Sequence, residues 1–305
     1  FQCYGKSRGK QRYRCSSCHK VFISKNTDWI SKAQSDYILH KQNYSELSDD
    51  LGLHRNTIQK YVTRVPCVTW ELPLFTSDTS FGVIMDATYL RNRTDGLALI
   101  RTNTGYNLNH IFINSESLSS MSILLDQFTA SGYHLHTTSF TIDGRRFMFD
   151  LLKQRYPDIP IQMCIFHMKS IIRRYITMRP KTKLWKALMI LKACLGMVNE
   201  CMFWRLFNQV EIIYADFLVE RNEKGEFEHK KLRTVMKSIR YYFPYLYTYE
   251  HHLEIRISRT TGECDGYFAH IKDKLWVHRW LQEKNRNNFI IFLLEEKNRM
   301  LKIEY

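Results

Sequence analysis

Between residues 81 and 165 the hydrophobic pattern changes period in one particular order, and that order restricts the folds open to the chain. Three strand-like runs come first, at 81–90, 96–103 and 107–113. A helical pattern follows at 117–131, with Leu118, Met121, Leu124, Leu125 and Phe128 on one face. A fourth strand reaches Asp143, a helix is predicted over 145–156, and Ile159-Pro-Ile-Gln-Met-Cys-Ile165 reads as a fifth strand. Strands alternating with helices of this length imply an α/β fold, in which a sheet is buried beneath its helices. From about 168 to 255 the pattern turns helical and rich in Trp, Tyr, Phe, Lys and Arg, so an all-α insertion interrupts the α/β pattern.

Three antiparallel strands, then helix, strand, helix and strand, is the order of an RNase H-like core. That order sets the first strand beside the fourth and so brings Asp86 to Asp143. Asp86 lies inside the apolar run Phe81-Gly-Val-Ile-Met-Asp86-Ala-Thr-Tyr-Leu90, and Asp143 ends Thr138-Ser-Phe-Thr-Ile-Asp143. A carboxylate buried in a strand is costly unless paired or metal-bound. Asp86 is therefore read as a site residue, not as a surface aspartate of an edge strand. Asp265 opens an amphipathic stretch that runs to Leu275. Two strand-borne carboxylates and one helix-borne carboxylate can hold a pair of divalent ions, Mg2+ or Mn2+. Such a pair activates a water or a 3′-hydroxyl and steadies the leaving oxygen in phosphoryl transfer. Glu263 competes with Asp265 for the third place. The two are about 200° apart on a helix, so only one faces the site. Phe268, Ile271 and Leu275 are predicted to face the sheet, and Asp265 and Lys272 lie on or near that stripe.

Charge narrows the class of partner. The 305 residues carry a formal net charge of +15, and a globular chain this basic is expected to bind a polyanion through its phosphates. The cations cluster rather than spread. One group holds Lys6, Arg8, Lys10, Arg12, Arg14 and Lys20, the other Arg173, Arg174, Arg179, Lys181, Lys183 and Lys186. No apolar run is long enough to span a bilayer and no signal peptide is visible, so a cytoplasmic, nucleoid-associated protein with no membrane partner is expected. Of eight cysteines only Cys15 and Cys18 form a CxxC pair; the rest read as buried free thiols in a reducing compartment.

Residues 1–24 read as a partial zinc ribbon. Gln11-Arg-Tyr-Arg-Cys15-Ser-Ser-Cys18-His-Lys-Val-Phe22 alternates like a strand and then turns through one cysteine knuckle. Tetrahedral Zn2+ needs four ligands, and Cys15 and Cys18 supply two, which leaves zinc binding open. Residues 25–65 read as a helix-turn-helix domain. Tyr44–Leu51 is its first helix, with Ser45 as candidate N-cap; Gly52 makes the turn; His54–Val62 is the second helix. Leu47, Leu51, Leu53, Ile58 and Val62 supply the seam. Arg55, Asn56, Thr57, Gln59 and Lys60 are displayed outward, and these residue types read bases and phosphates. A linker with Pro66 and Pro73 spans 66–80. The catalytic core occupies 81–167 and 256–305, split by the helical insertion at 168–255.

Taken together, these motifs carry a resemblance. The order is a cysteine knuckle, a helix-turn-helix, the Asp86 strand, the Asp143 strand and Cys164-Ile-Phe-His167. After the insertion comes Arg259-Thr-Thr-Gly-Glu-Cys-Asp265-Gly-Tyr-Phe268, followed by Lys272, Leu275, His278 and Leu281. This is similar to the DDE transposases of bacterial insertion sequences, particularly the group related to the Mutator-like transposases. Two positions depart from that group: Gly262 replaces an Asn, and Asp265 stands where most relatives have Glu. The resemblance implies a transposase that binds terminal inverted repeats and target DNA and catalyses hydrolysis and strand transfer. Asp86, Asp143 and Asp265 would hold two Mg2+ ions, and a homodimer would hold two ends. For the Cys164–His167 pair the choice lies between a metal or DNA contact and support of the strand-to-insertion junction; support, or a phosphate contact from His167, is the reading adopted. Arg173, Arg174, Arg179, Lys181 and Lys183 of the insertion would neutralise phosphates. Trp185 and Trp204 are either base-stacking platforms or core residues of a bundle. Two other classes compete: a catalytically retired DNA-binding regulator, and an RNase H-like structure-specific nuclease. The intact acids speak against the first and the helix-turn-helix against the second.

Overall fold

The computed structural model describes residues 2–7, 10–23, 28–62, 73–92, 94–175, 182–278 and 281–303. Arg8, Arg179, Lys181, Pro66 and Cys67, which figure in the sequence reading, lie outside the described residues. The chain divides into two compact units, one of residues 1–69 with 273–293 and the other of residues 70–272 with 294–305.

The first unit begins with strands β1 (Gln2–Ser7), β2 (Lys10–Arg14) and β3 (Val21–Ile23), an antiparallel sheet in the order β1-β2-β3. The register of β1 on β2 shifts between Cys3 and Lys6, where Gly5 takes a φ of +65°. Cys15 and Cys18 sit in the turn between β2 and β3, where the Cys15 amide donates to the Lys20 carbonyl. Helices α1 (Asp28–Leu39), α2 (Tyr44–Leu51) and α3 (Arg55–Val62) follow. The N-cap of α2 is Asn43, not Ser45. Asn43 is extended, its side chain accepts from the Ser45 and Glu46 amides, and the Glu46 carboxylate accepts from the Asn43 amide at 2.7 Å. This reciprocal capping box satisfies amides that the helix itself leaves unpaired. Gly52 ends α2 at a φ of +61°, a left-handed conformation that suits glycine. Ala33, Tyr37 and Ile38 of α1 pack with Leu47, Ile58 and Val62, all buried. Leu51 and Leu53, predicted for the same seam, are only partly buried.

The second unit is built on a mixed sheet. Among the described residues its strands are β4 (Phe81–Tyr89), β5 (Gly96–Thr102), β6 (Asn107–Ile113), β7 (Thr137–Ile142) and β8 (Ile161–Met163), in the order β6-β5-β4-β7-β8. β4 pairs antiparallel with β5 and parallel with β7, so the first and fourth strands lie side by side. Helix α4 (Leu118–Ala130) leads to β7, and α5 (Arg146–Arg155) leads to β8. The fifth strand is shorter than predicted. The Cys164 amide still pairs with the Ile142 carbonyl, but the Ile165 amide turns away to the Arg259 carbonyl, and α6 (Ile165–Tyr175) begins there. His167 therefore stands in the first turn of a helix.

Helices α7 (Lys183–Cys194), α8 (Glu200–Ile213), α9 (Ala215–Val219), α10 (Lys230–Leu246) and α11 (Thr248–His251) form the helical stretch, followed by α12 (Gly262–Val277) and α13 (Glu283–Ile303). Leu188, Phe203, Phe207, Ile239 and Leu246 of this stretch join Val83, Ile100 and Phe140 of the sheet in one apolar cluster. Trp185 and Trp204 pack against it, and Trp204 lies 4.3 Å from the Phe243 ring. Both are thus packing residues rather than open platforms. The edge strand β6 is closed by α13. Asn298 accepts from the Asn107 amide at 2.7 Å and donates to its carbonyl at 2.8 Å, which removes a pair of open ladder groups.

Gly82 is needed for a close approach. A Cβ there would meet Ser139 Oγ at 2.9 Å, Asn103 Nδ2 at 3.0 Å and the Arg256 carbonyl at 3.1 Å. Gly82→Ala is expected to destabilise the protein by about 1–3 kcal/mol, as overpacking of a well-filled site does. Urea unfolding measures this, and an unchanged midpoint would show that these neighbours yield freely.

Candidate active site

The pairing of β4 with β7 fixes where two carboxylates fall. Asp86 sits within β4, opposite Leu99 of β5, and Asp143 immediately follows β7. Both line one small cleft, about 20 Å³, together with Glu116 and Arg145. That volume admits about one water or ion, not a whole ligand. Both acids are only partly exposed. Asp86 Oδ1 accepts from the Ala87 amide at 2.8 Å, whereas Asp86 Oδ2 is buried with no hydrogen-bond partner. An orphaned carboxylate oxygen is expensive to bury, and its surroundings show how expensive. Burial first, and the nearby Asp265 charge second, push Asp86 up to about 7; His167 and the Ala87 amide oppose this, and Asp143 adds to it. Asp143 is also raised, mainly by burial, against the opposing Arg145 amide and the His167 and Arg145 charges.

The charge of Asp265, on α12, acts on Asp86. The helix buries Cys264, Tyr267, Phe268 and Ile271, while Asp265 is exposed at the border of that face and Leu275 is only partly buried. Asp265 therefore lies beside the buried stripe, not within it. Lys272 shows which way that border faces. Its Nζ donates to Thr88 Oγ1 at 2.6 Å. Thr88 is two residues from Asp86 and so lies on the same side of β4. Seven residues separate Asp265 from Lys272, about two full turns, so they share a helix face. Glu263, nine residues from Lys272, points about 180° away. Burial raises the Glu263 carboxyl, and the charges that oppose the rise are those of Arg101 and Arg256, not those of the site.

Cys164 and His167 tie the core to the segment that leads into α12. Cys164 Sγ accepts from the Thr261 amide at 3.3 Å, His167 Nδ1 lies 3.4 Å from Thr261 Oγ1, and the Ile165 amide donates to the Arg259 carbonyl at 3.0 Å. Burial pushes the Cys164 thiol up, but hydrogen bonds from His167 and the Thr261 amide outweigh it and the net shift is down. The same Cys164 bond, helped by the Asp86 and Asp143 charges, raises His167 to about 9 against its burial. A cationic imidazole thus stands beside the two aspartates.

Glu116 and Arg145 belong to the site and were missed in the sequence. Arg145 Nε lies 2.9 Å from Glu116 Oε2 and 3.6 Å from Asp143 Oδ2, and the Arg145 amide donates to Asp143 Oδ1 at 3.1 Å. Arg145 follows Asp143 by two residues and was findable on that spacing. Glu116 lies in the connection before α4 and had no local signal.

The remaining residues of the sequence reading lie apart from the carboxylates. Arg173 and Arg174 are exposed in the last turn of α6. In the first unit Arg55, Asn56, Gln59 and Lys60 are exposed on α3, and Thr57 is half-buried. Cys15 is lowered chiefly by the amides of Cys18 and Ser17, which favours the thiolate that a metal would take. Cys164 and Cys264 are buried thiols as expected, but Cys3 and Cys201 are exposed and Cys194 is half-buried. Among the described residues no three His, Cys, Asp or Glu side chains form a ready-made metal cluster, and no helix is long and apolar enough to cross a membrane.

Residues 82–170 match the family model of the MULE transposase domain. This segment contains Asp86, Asp143, Cys164 and His167, and the match supports membership of the Mutator-like transposase superfamily. No curated protein matches the chain.

Proposed function

We propose that this chain is a DDE-type DNA transposase that binds terminal inverted repeats and catalyses metal-dependent phosphodiester hydrolysis and strand transfer. The observation that carries the reading is Asp86: a strand carboxylate with a buried, unpartnered oxygen, held near Asp143 and close to the charge of Asp265. The domain match and the net charge of +15 point the same way. The strand order β6-β5-β4-β7-β8 supports an RNase H-like core.

The donor set fits Mg2+, or Mn2+ in its place. The site offers hard carboxylate oxygens, one of them unpaired. Magnesium is commonly held by one or two carboxylates together with substrate phosphates rather than by an all-protein cage, and Asp86 and Asp143 supply two such carboxylates. Asp86 and Asp143 would each hold an ion, and Asp265 would ligate one directly or orient its waters. When bound, the ions supply activation of the attacking oxygen and neutralisation of the leaving one. The protein's own part is positional. Arg145 holds Asp143 and Glu116, Lys272 docks α12 on the Asp86 strand, and Cys164 and His167 clamp the approach to α12. His167, cationic and half-buried, would contact a DNA phosphate.

Arg55, Asn56, Thr57, Gln59 and Lys60 would read the repeat, and Arg173 and Arg174 would neutralise phosphates. Cys15 and Cys18 would be two of four ligands of a structural Zn2+. Holding two DNA ends requires a homodimer or a larger assembly.

The test is cleavage of a duplex carrying the element's terminal repeat. Strand scission that requires Mg2+ or Mn2+ and leaves a 3′-hydroxyl is the expected result. Scission that persists in EDTA, or specific binding with no scission under either ion, would overturn the reading; the second outcome would favour a DNA-binding regulator.

A further inference from the structure

The first unit contains a polar groove of which the helix-turn-helix reading uses only the α3 side. It has a volume of about 550 Å³ and is lined on one side by Arg55 and Gln59 of α3 and on the other by Gln282 and Asn285 at the start of α13. Arg55 and Gln59 are one helical turn apart. On α3 they lie to one side of the buried Ile58 and Val62, whereas Lys60 points away from that core and Asn56 lies about 140° from it. The exposed face of α3 is therefore divided. One half faces outward alone, and the other shares its space with a segment more than 200 residues later in the sequence.

This corner is built, not incidental. Tyr37 of α1 stacks on Tyr44 at 5.1 Å and meets the His278 ring at 3.8 Å with a tilt of 34°, and His278 Nε2 donates to the Tyr37 carbonyl at 2.8 Å. Burial lowers His278 to about 4, so the ring is neutral at physiological pH. The Asn298-side half of α13 belongs to the other unit, but Leu281 and Phe289 are buried within this one. The start of α13 is thus anchored beside α3, with Gln282 exposed and Asn285 half-buried.

The chemistry of the lining selects the ligand. Its described residues include one guanidinium, several carboxamides and no carboxylate. Carboxamides both donate and accept, which is the pattern needed for the edge of a base pair, and a guanidinium takes a guanine edge or a phosphate. We propose that Gln282 and Asn285 are a second DNA-reading element, which with Arg55 and Gln59 contacts duplex DNA in this groove. The proposal rests on the helix-turn-helix reading of α2 and α3, and it adds residues from the opposite end of the sequence to the specificity surface.

The experiment uses the full chain and the duplex that the wild-type protein enriches from a random pool, with a random duplex as comparison. Gln282→Ala combined with Asn285→Ala is expected to weaken binding to the enriched duplex about tenfold or more, to leave random-duplex binding within about twofold, and to change the enriched sequence when selection is repeated. Asn285→Asp keeps the shape of the side chain and adds a negative charge, so it should weaken binding to both duplexes while the melting temperature stays at the wild-type value. Asn56→Ala combined with Lys60→Ala tests the underlying reading. If that pair loses binding while Gln282→Ala/Asn285→Ala and Asn285→Asp bind as wild type and enrich the same sequence, the role of α13 is wrong and the helix-turn-helix stands. If all variants bind as wild type, neither α13 nor the outward half of α3 reads DNA, and the proposal falls.

Discussion

Asp86→Asn is expected to reduce metal-dependent strand cleavage by about a thousandfold or more, on the order of 4 kcal/mol in the barrier, while the metal-free protein becomes more stable. Both effects follow from one oxygen. Asp86 Oδ2 is buried without a partner, and the carboxyl is pushed up to about 7. An unfolded aspartate loses its proton near its ordinary value of 3.8. Between these values the native state holds a proton that the unfolded state has released. Wild-type stability therefore falls as pH rises from about 4 to 7, and the full penalty stands above 7. A shift of this size corresponds to roughly 4 kcal/mol as an upper bound. Asparagine carries no such penalty. Metal-free Asp86→Asn should melt above wild type at pH 8 and show little difference at pH 4. Added Mg2+ should raise the wild-type melting temperature at pH 8 and leave the variant unmoved. DNA binding should persist, since Asp86 is outside the residues assigned to it. A variant that cleaves at the wild-type rate removes Asp86 from the site. A variant that is inactive but no more stable at pH 8 shows that the carboxylate is already satisfied in the metal-free protein.

The parts of this site that were legible in the sequence are those written in local periodicity. Phe81–Met85 is a continuous apolar run and Thr137–Ile142 is rich in β-branched residues, so their strand character and the placement of Asp86 and Asp143 could be read directly. Their adjacency followed from the order of elements. What was not legible depends on contacts far apart in sequence. Glu116 enters the site only because the connection before α4 folds back over the end of β7, where Arg145 meets it. The fifth strand is shorter than the sequence suggests: the β-branched Ile159 and Ile165 look strand-like, yet the Ile165 amide pairs with the Arg259 carbonyl, which no local pattern can reveal. Asn43 was passed over as the cap of α2 because Ser45 and Asn43 are both good capping residues. Only the backbone shows that the chain is still extended at Asn43. The joining of His278 and Phe289 to the helices near the N-terminus was likewise invisible, since it links segments at the two ends of the sequence.

The sharpest remaining choice is between Glu263 and Asp265. Asp265→Asn is expected to lower cleavage at least about a hundredfold, whereas Glu263→Gln should stay within a few-fold of wild type; these correspond to roughly 3 and under 1 kcal/mol in the barrier. Cys264 is fully buried, and its two neighbours lie about 100° to either side of it. Lys272 decides between them, because its bond to Thr88 turns the Asp265 face of α12 toward the Asp86 side of β4. The charges agree with this geometry. Asp265 is the strongest charge acting on Asp86, and the charges acting on Glu263 are those of Arg101 and Arg256. A second readout separates a site role from a structural one. Removing the Asp265 charge should lower the pKa of Asp86, so the pH above which Mg2+ stabilises the protein should move down. Glu263→Gln should leave that pH in place. Asp265→Glu should retain part of the activity, because the longer carboxylate keeps the charge on the same face. If Glu263→Gln is inactive and Asp265→Asn active, the face of α12 that meets the site is the opposite one, and the acids are Asp86, Asp143 and Glu263.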